Sequence, residues 1–345
     1  MKYKVTVCMS NYNQAHFLPQ AIESVLKQKT DFDVQLIITD DCSEKDNSVE
    51  IIKSYVDKYP NKIIALLNTE NGRYLKNILR AKAITKTPYF CLLDADDYWT
   101  DENYLQDAVD FLETHPDFTI YSRNVTCLNE EGAFSSYFPL DLGDRDFDIK
   151  SYLDDKIVIT QMTGTFFRNV IFKDGIPSIM HNAVGTISES FFEGDFGRYL
   201  MHLKYGKAHY ESRPCGVYRI LSTGIWSRLS DFEKNIIQAQ CCLDYNEYFE
   251  CKYEEAFLYK TYQGLKKGLT LLNSMTFSKD ISEDIQKKFF NVLQTCSQKR
   301  QLIVDYIKVK KGFKKAKLKY KLLLFVYNKL KKKLMKKELI ELGLF

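Results

Sequence analysis

From Val5 to Asp94 short apolar runs alternate with segments of helical periodicity, and each apolar run stops at a polar cluster. Val5 to Met9 reads as a strand ending at Ser10-Asn11-Tyr12-Asn13. Phe17 to Lys27 repeats Phe17, Leu18, Ala21, Ile22, Val25 and Leu26 at helical spacing, and Val34 to Thr39 is a second strand ending at Asp40-Asp41. A helix from about Ser48 to Lys58, a strand Ile63 to Leu67 followed by Asn71-Gly72, and a helix from about Tyr74 to Thr85 lead into a fourth strand. The order β-α-β-α-β-α-β predicts a mainly parallel sheet covered by helices. Such sheets bind ligands beyond the carboxyl ends of their strands, so the polar clusters at those ends should share one crevice.

The fourth strand lies in F-C-L-L-D-A-D-D-Y-W, Phe90 to Trp99, which sets Asp94, Asp96 and Asp97 within four positions of one another. Crowded carboxylates repel, and a fold holds them together at low cost only with a cation or a set of donors among them. Mg²⁺ or Mn²⁺ suits hard oxygen ligands; held by one or two carboxylates, such an ion fills its open positions with nucleotide phosphate oxygens. An Asp-rich turn or helix N-cap would give the same letters.

Further along, Asp101 to Thr114 reads as a helix closed by His115-Pro116, and Thr119 to Cys127 and Val158 to Arg168 read as strands. Asn129 to Asp155 is turn-rich and acidic, an excursion over the site. A helix to about Tyr205 follows Glu193-Gly194-Asp195, and Ser230-Asp231-Phe232-Glu233 starts a helical region reaching about Ser297. With 45% apolar and 14% aromatic residues in 345, the chain can bury a large core, which argues against wholesale disorder. Nine cysteines without a C-x-x-C pair fit reduced thiols better than disulfides or zinc, and the polar amino terminus predicts no signal peptide. Lys308 to Lys337 holds fourteen lysines and no acid, leaving a net −10 on the other 315 residues.

Six motifs in order give residues 1–227 a family likeness: S-N-Y-N with L-P-Q-A-I-E-S-V-L-K-Q (Ser10 to Gln28), I-I-T-D-D-C-S (Ile37 to Ser43), N-G with K-N (Asn71 to Asn77), L-D-A-D-D-Y-W (Leu93 to Trp99), Gly194-Asp195, and Y-R with G-I-W-S (Tyr218 to Ser227). The chain resembles family 2 glycosyltransferases of the kind that build bacterial capsule and surface polysaccharides. The resemblance implies an α/β fold of GT-A type, Rossmann-like, with a mainly parallel central sheet flanked by helices. It gives a catalytic domain 1–227, after which the helical pattern marks a C-terminal appendage 228–307 and the lysine run a basic amphipathic tail 308–345.

The activity so implied is a metal-dependent, inverting transfer of a sugar from a nucleotide-sugar, a UDP-sugar first among them, to a saccharide or lipid-linked saccharide. By the resemblance, Asp96 holds Mn²⁺ or Mg²⁺, and Asp94 contacts the metal or the ribose, with Asp97 behind them. Ser10, Tyr12 and Asp41 belong to the nucleotide site, Tyr12 as a stacking face and Asp41 as an acceptor for the base; Lys76 reaches the diphosphate as a point charge. Arg219 and Trp226 close over diphosphate and sugar. Asp195 is the general base, with Glu193 as the alternative because Gly194 stands where the family more often has Glu. Leu221 replaces a histidine that many relatives carry two residues after the Arg, so water or Ser222 would have to take its place.

The tail's longest apolar run, Leu322 to Tyr327, is far short of the roughly 20 residues that span a bilayer. A basic amphipathic helix would instead hold the protein at an anionic membrane surface through 308–337, peripheral at the cytoplasmic face of the plasma membrane. No nucleic-acid partner is expected, since no recognition module accompanies the lysines. The region after Ser227 can pack as an appendage, form a homo-oligomer or help hold the acceptor. Two other readings are a catalytically inactive, membrane-associated scaffold and a sugar-nucleotide pyrophosphorylase; the latter wants a glycine-rich phosphate loop that Ser10 to Asn13 does not provide.

Overall fold

The computed structural model describes residues 3–185, 189, 194–222, 229–271 and 281–311; Glu193, Trp226 and the tail beyond residue 311 lie outside the described residues. The chain divides into two compact units, Met1–Gly224 and Ile225–Phe345.

In the first unit the alternation expected up to Asp94 is found element for element. Strands β1 (Tyr3–Asn11), β2 (Asp33–Asp40), β3 (Ile63–Leu67) and β4 (Tyr89–Asp94) are parallel in the order β3-β2-β1-β4. Helices α1 (Leu18–Leu26), α2 (Ser48–Lys58) and α3 (Arg73–Ile84) connect them. The pleat of β1 explains how both faces are covered. Val5, Val7 and Met9 join a core with Leu18, Ile22 and Val25 of α1, Ile52 of α2, and Leu105, Val109 and Leu112 of α4 (Tyr104–Thr114). On the opposite face Cys8 meets Thr85 at the end of α3. Each such aliphatic side chain, fully buried, contributes about 1.5–3 kcal/mol.

Beyond β4 the sheet is mixed. Strand β5 (Tyr98–Trp99) pairs with the far strand β10 (Lys207–Ile220), which runs parallel to β6 (Phe118–Asn129). Short strands β7 (Phe134–Ser136) and β8 (Arg145–Phe147) pair with β6 and β10. Strand β9 (Thr165–Arg168) lies antiparallel between β4 and β6. Helices α5 (Ile149–Leu153), α6 (Ser178–Ala183) and α7 (Asp195–Leu203) complete the unit.

One expectation is corrected here. Of the segment Val158 to Arg168 only the last four residues are strand, and Met162–Gly164 is a 3-10 turn. Gly164 presses on β6 so closely that a Cβ there would stand 2.2 Å from the Arg123 carbonyl, which fixes the turn against the sheet. The polar run before Cys215 is part of the fourteen-residue β10, whose register slips on either side of Pro214. Buried Arg123 holds that irregular stretch: its guanidinium reaches Asp101 at 2.8 Å and the carbonyls of Arg213 and Pro214 at 3.2 and 3.0 Å.

His202 of α7 is buried against Phe167 and Phe90, with ring centroids 4.3 and 5.7 Å away. Its Nδ1 lies 2.7 Å from the Arg198 carbonyl, while Nε2 is buried with no hydrogen-bond partner among the described residues. Burial, and secondarily the neighbouring Lys82 and Arg198 charges, depress its pKa to about 3 from 6.5. A histidine kept neutral in the fold contributes stability that is full above its unfolded pKa and is lost as pH falls from 6.5 toward the folded value. Between pH 7 and pH 5 wild type should therefore lose about 2 kcal/mol more unfolding free energy than His202→Phe. Urea titrations of both proteins at the two pH values measure it; equal losses would refute the assignment.

In the second unit α8 (Asp231–Tyr248) opens with a capping box between Ser230 and Glu233 and packs on α9 (Glu254–Leu271). The approach is close because Gly264 and Gly268 face Ala239 and Ile236, where a Cβ would come within 2.9 and 2.8 Å. Helices α10 (Glu283–Gln298) and α11 (Arg300–Lys311) follow, and Phe289 meets Phe232 with centroids 6.0 Å apart. Among the described residues no helix is long and apolar enough to cross a membrane. The nine cysteines are unbridged.

Candidate active site

Parallel pairing brings the polar strand ends together. In the sheet register Ser10 stands beside Asp94 and Asn11 beside Asp40. Ser10 donates its hydroxyl to Asp94 Oδ1 at 2.6 Å, and the Ala95 amide donates to the Ser10 carbonyl at 3.1 Å. Burial raises the pKa of Asp94, and the charge of Asp96 adds to it. Burial likewise raises Asp96, against the pull of its own backbone amide, the Gln14 side chain and Arg219. These two carboxylates, partly open to solvent, carry an electrostatic cost that a cation would relieve.

Asp97 has a different job. It is buried, accepting from Thr163 Oγ1 at 2.5 Å, from the Arg219 amide at 2.9 Å and from Gln161 Nε2 at 3.4 Å. Burial first, then Asp96 and Asp94, push its pKa well up. Asp97 thereby ties the loop after β4 to the 3-10 turn and to β10, behind the two open carboxylates.

Asp40 and Asp41 also separate. Asp40 is fully buried and accepts from Asn11 Nδ2, Ser43 Oγ and the Ser43 amide at 2.6, 2.6 and 2.9 Å, which makes it the brace of the loop after β2. Asp41 Oδ1 accepts from Asn68 Nδ2 and the Gly72 amide, both at 2.8 Å, leaving Oδ2 for another donor. Tyr12 is 46% exposed, which rules out a core role and leaves its ring face open. Lys76 is half exposed, 3.3 Å from Glu70.

Arg219 lies across the crevice with its guanidinium 4.7 Å from both the Phe17 and Tyr98 ring centroids. It donates to the Asp96 carbonyl and, at 2.5 Å, to Gln20 Oε1. Ser222 is bound to Glu130 Oε1 at 2.8 Å through both its amide and its hydroxyl.

Asp195 begins α7 with Gly194 as its extended N-cap. Burial raises its pKa, while Arg198 and the Met162 amide, which donates to it, pull the other way. The Arg198 guanidinium, itself 5% exposed, meets Asp195 Oδ1 at 2.8 Å. Asp195 and Arg198 both act electrostatically on Asp94, and Tyr218 feels Asp97, Asp195 and Asp94 together. The carboxylate predicted as the base therefore lies within electrostatic reach of Asp94, one of the pair predicted to hold metal. Arg198 was missed by the sequence reading; its one signal was the i,i+3 spacing from Asp195, which lets an arginine on the next turn reach back. A separate cleft of ≈ 900 Å³ at the amino ends of β1 and β4, lined by Lys4, Asp33, Pro88 and Arg168 among others, contains none of the predicted site residues.

The donor set fits a small hard divalent cation. Among the described residues no group of three or more His, Cys, Asp or Glu side chains could hold a metal ion. Two carboxylates completed by phosphate oxygens are the usual Mg²⁺ arrangement.

A model of the family described as glycosyl transferase family 2 matches residues 6–176. An uncharacterized protein of Mycobacterium tuberculosis is 27% identical over 222 residues, 64% of this chain and 60% of that protein. The match thus spans about three-fifths of that relative's length. Poly(ribitol-phosphate) beta-N-acetylglucosaminyltransferase TarS of Staphylococcus aureus is 25% identical over 174 residues, 50% of this chain and 28% of TarS. The crystal structure of TarS 1–349 in complex with UDP-GlcNAc aligns with a TM-score of 0.58 at 16% identity, over 94% of this chain and 92% of that one. That likeness shows a common fold.

Proposed function

Since the chain belongs to glycosyl transferase family 2 and has the GT-A fold, we propose that it transfers a sugar, with inversion, from a nucleotide-sugar to a saccharide hydroxyl. The observation that supports this reading is that Asp195, backed by Arg198, lies within electrostatic reach of Asp94, which adjoins Asp96. A carboxylate that can take a proton would thus work beside a pair suited to the diphosphate side of a donor.

Asp96 and Asp94 would hold Mg²⁺ or Mn²⁺, which supplies Lewis-acid stabilisation of charge developing on the diphosphate. Ser10 orients Asp94, and Asp97 fixes the loop that carries both. Tyr12 and the open oxygen of Asp41 receive the base. Lys76 stands by for the diphosphate. Arg219 is held by Gln20 and the Asp96 carbonyl at the mouth, where it adds positive charge. Asp195 accepts the proton of the acceptor hydroxyl as that oxygen attacks the anomeric carbon from the face opposite the leaving group. Glu193 remains the alternative base, and Trp226 a closing contact. The lysine-rich segment 308–337 would hold the enzyme at an anionic membrane surface on the cytoplasmic side, beside a lipid-linked acceptor.

A UDP-sugar is the first donor to test, since TarS was crystallised with UDP-GlcNAc. The experiment is nucleotide release, a nucleoside diphosphate from UDP-, GDP- and dTDP-sugars and CMP from CMP-sugars, with Mn²⁺ or EDTA, in the presence and absence of anionic vesicles. The expected result is release from one donor class, suppressed by EDTA, with the protein sedimenting with the vesicles. Absence of both release and calorimetric binding for every donor would overturn the reading.

A further inference from the structure

Two exposed aromatic side chains adjoin Asp195: Phe196, its neighbour in sequence, and Tyr137, on which its charge acts, are 38% exposed each. On the excursion with Tyr137, Phe134 is 63% exposed and Leu140 60%. A monomer that keeps such a group open beside a reactive carboxylate usually uses it for binding. Two of the rings are braced. Phe196 follows Asp195 directly on α7 and packs edge-on against Tyr152, centroids 5.1 Å apart. Tyr137 packs edge-on against Tyr218 at 6.3 Å, and the Asp195 charge acts on both tyrosine hydroxyls.

The excursion that carries Tyr137 is pinned to β6. The Tyr137 amide donates to the Val125 carbonyl at 3.0 Å, and the Asn124 side chain bonds both the amide and the carbonyl of Phe138, at 3.1 and 2.9 Å. The rings are thus presented in place and need little ordering on binding. The excursion that carries Tyr137 is acidic. Between Asn129 and Leu142 the sequence holds Glu130, Glu131 and Asp141 and no lysine or arginine. Arg198, the cation nearest the base, is committed to Asp195.

We propose that Tyr137 and Phe196 form the acceptor platform and that the acceptor is an uncharged saccharide, its apolar C–H face laid on the rings with one hydroxyl toward Asp195. Anionic acceptors, phosphorylated or uronic, are disfavoured by the acidic excursion. The proposal rests on Asp195 being the base. Stacking on an aromatic ring is worth about 0.5–1.5 kcal/mol, so each ring lost should raise the acceptor KM about 2- to 12-fold.

The test uses the full chain, the donor identified by release, and two acceptor sets: octyl glycosides of neutral hexoses and N-acetylhexosamines, and the corresponding 6-phosphates and uronides. Acceptor-stimulated release should saturate with a neutral glycoside and not with its charged counterpart. Tyr137→Ala and Phe196→Ala should raise the acceptor KM by the stated factor, and Tyr137→Trp and Phe196→Tyr should recover most of the loss. Donor binding by calorimetry shows that each variant is folded. An unchanged acceptor KM in both alanine variants, preference for a charged acceptor, or no stimulation by any neutral glycoside overturns the platform. Failure of the underlying reading looks different: Asp195→Asn would then keep acceptor-dependent transfer.

Discussion

Asp195→Asn lowers kcat about 10²- to 10⁴-fold with the donor still bound, as expected for removal of a positioned general base. The asparagine oxygen can keep accepting from Arg198 and from the Met162 amide, so the start of α7 stays where it is. What is lost is the site that takes the acceptor proton. The pH dependence gives a second signature. Burial raises Asp195 above the ordinary carboxylate range, and Arg198 is the main counterweight. Activity should rise with pH through that raised value, because the base works only when ionised. In Arg198→Met the acid limb of kcat/KM should move to still higher pH. An Asp195→Asn enzyme with wild-type kcat would transfer the role to Glu193 or end the inverting-base mechanism.

Asp96→Ala should abolish EDTA-sensitive release, a fall of about 10³-fold, since Lewis-acid stabilisation of a leaving diphosphate is worth several kcal/mol. The loss should not come from unfolding. Asp96 is partly open to solvent, and Asp97, not Asp96, joins the loop to Thr163 and Arg219. Removing Asp96 also relieves Asp94 of a neighbouring like charge. Donor release by the variant, with Mn²⁺ titrated from micromolar to millimolar, is the measurement; full activity at saturating metal would refute the assignment of Asp96 as a ligand.

The first four strands and their helices were legible because hydrophobic period and turn residues agree along the chain, and because a parallel sheet gathers its carboxyl ends by geometry. Asp94, Asp96 and Asp97 were legible as a cluster, and the family resemblance set Asp97 behind the other two, a division that the three letters alone do not carry. That division depends on Thr163 and the Arg219 amide, 66 and 122 residues away. Asp40 and Asp41, identical and adjacent, differ only through their partners, Asn11 and Ser43 for the one and Asn68 and Gly72 for the other. Strand β9 was read too long, from Val158, because the turn at Met162–Gly164 leaves no mark on so short a period, and β10 was not read as one strand because Pro214 interrupts it. Arg198 was invisible as a site residue: an arginine inside an amphipathic helix reads as surface until the fold turns it inward.

Strand β9 joins to β4 through three residue pairs, Tyr89–Arg168, Phe90–Phe167 and Cys91–Phe166, and to β6 through three more, Ile120–Phe167, Tyr121–Phe166 and Ser122–Thr165. The residues proposed to hold the metal and the nucleotide base precede residue 100, while Arg219, which reaches the Asp96 carbonyl, and the proposed base and acceptor platform follow residue 118. A splice in the α4 segment would therefore exchange the acceptor half only if Thr163 and Arg219, which hold Asp97, were retained along with the two neighbours of Phe166 and Phe167. Diversification of what such a chain glycosylates is thus confined to the second half's surface, because its interior braces the donor loop of the first.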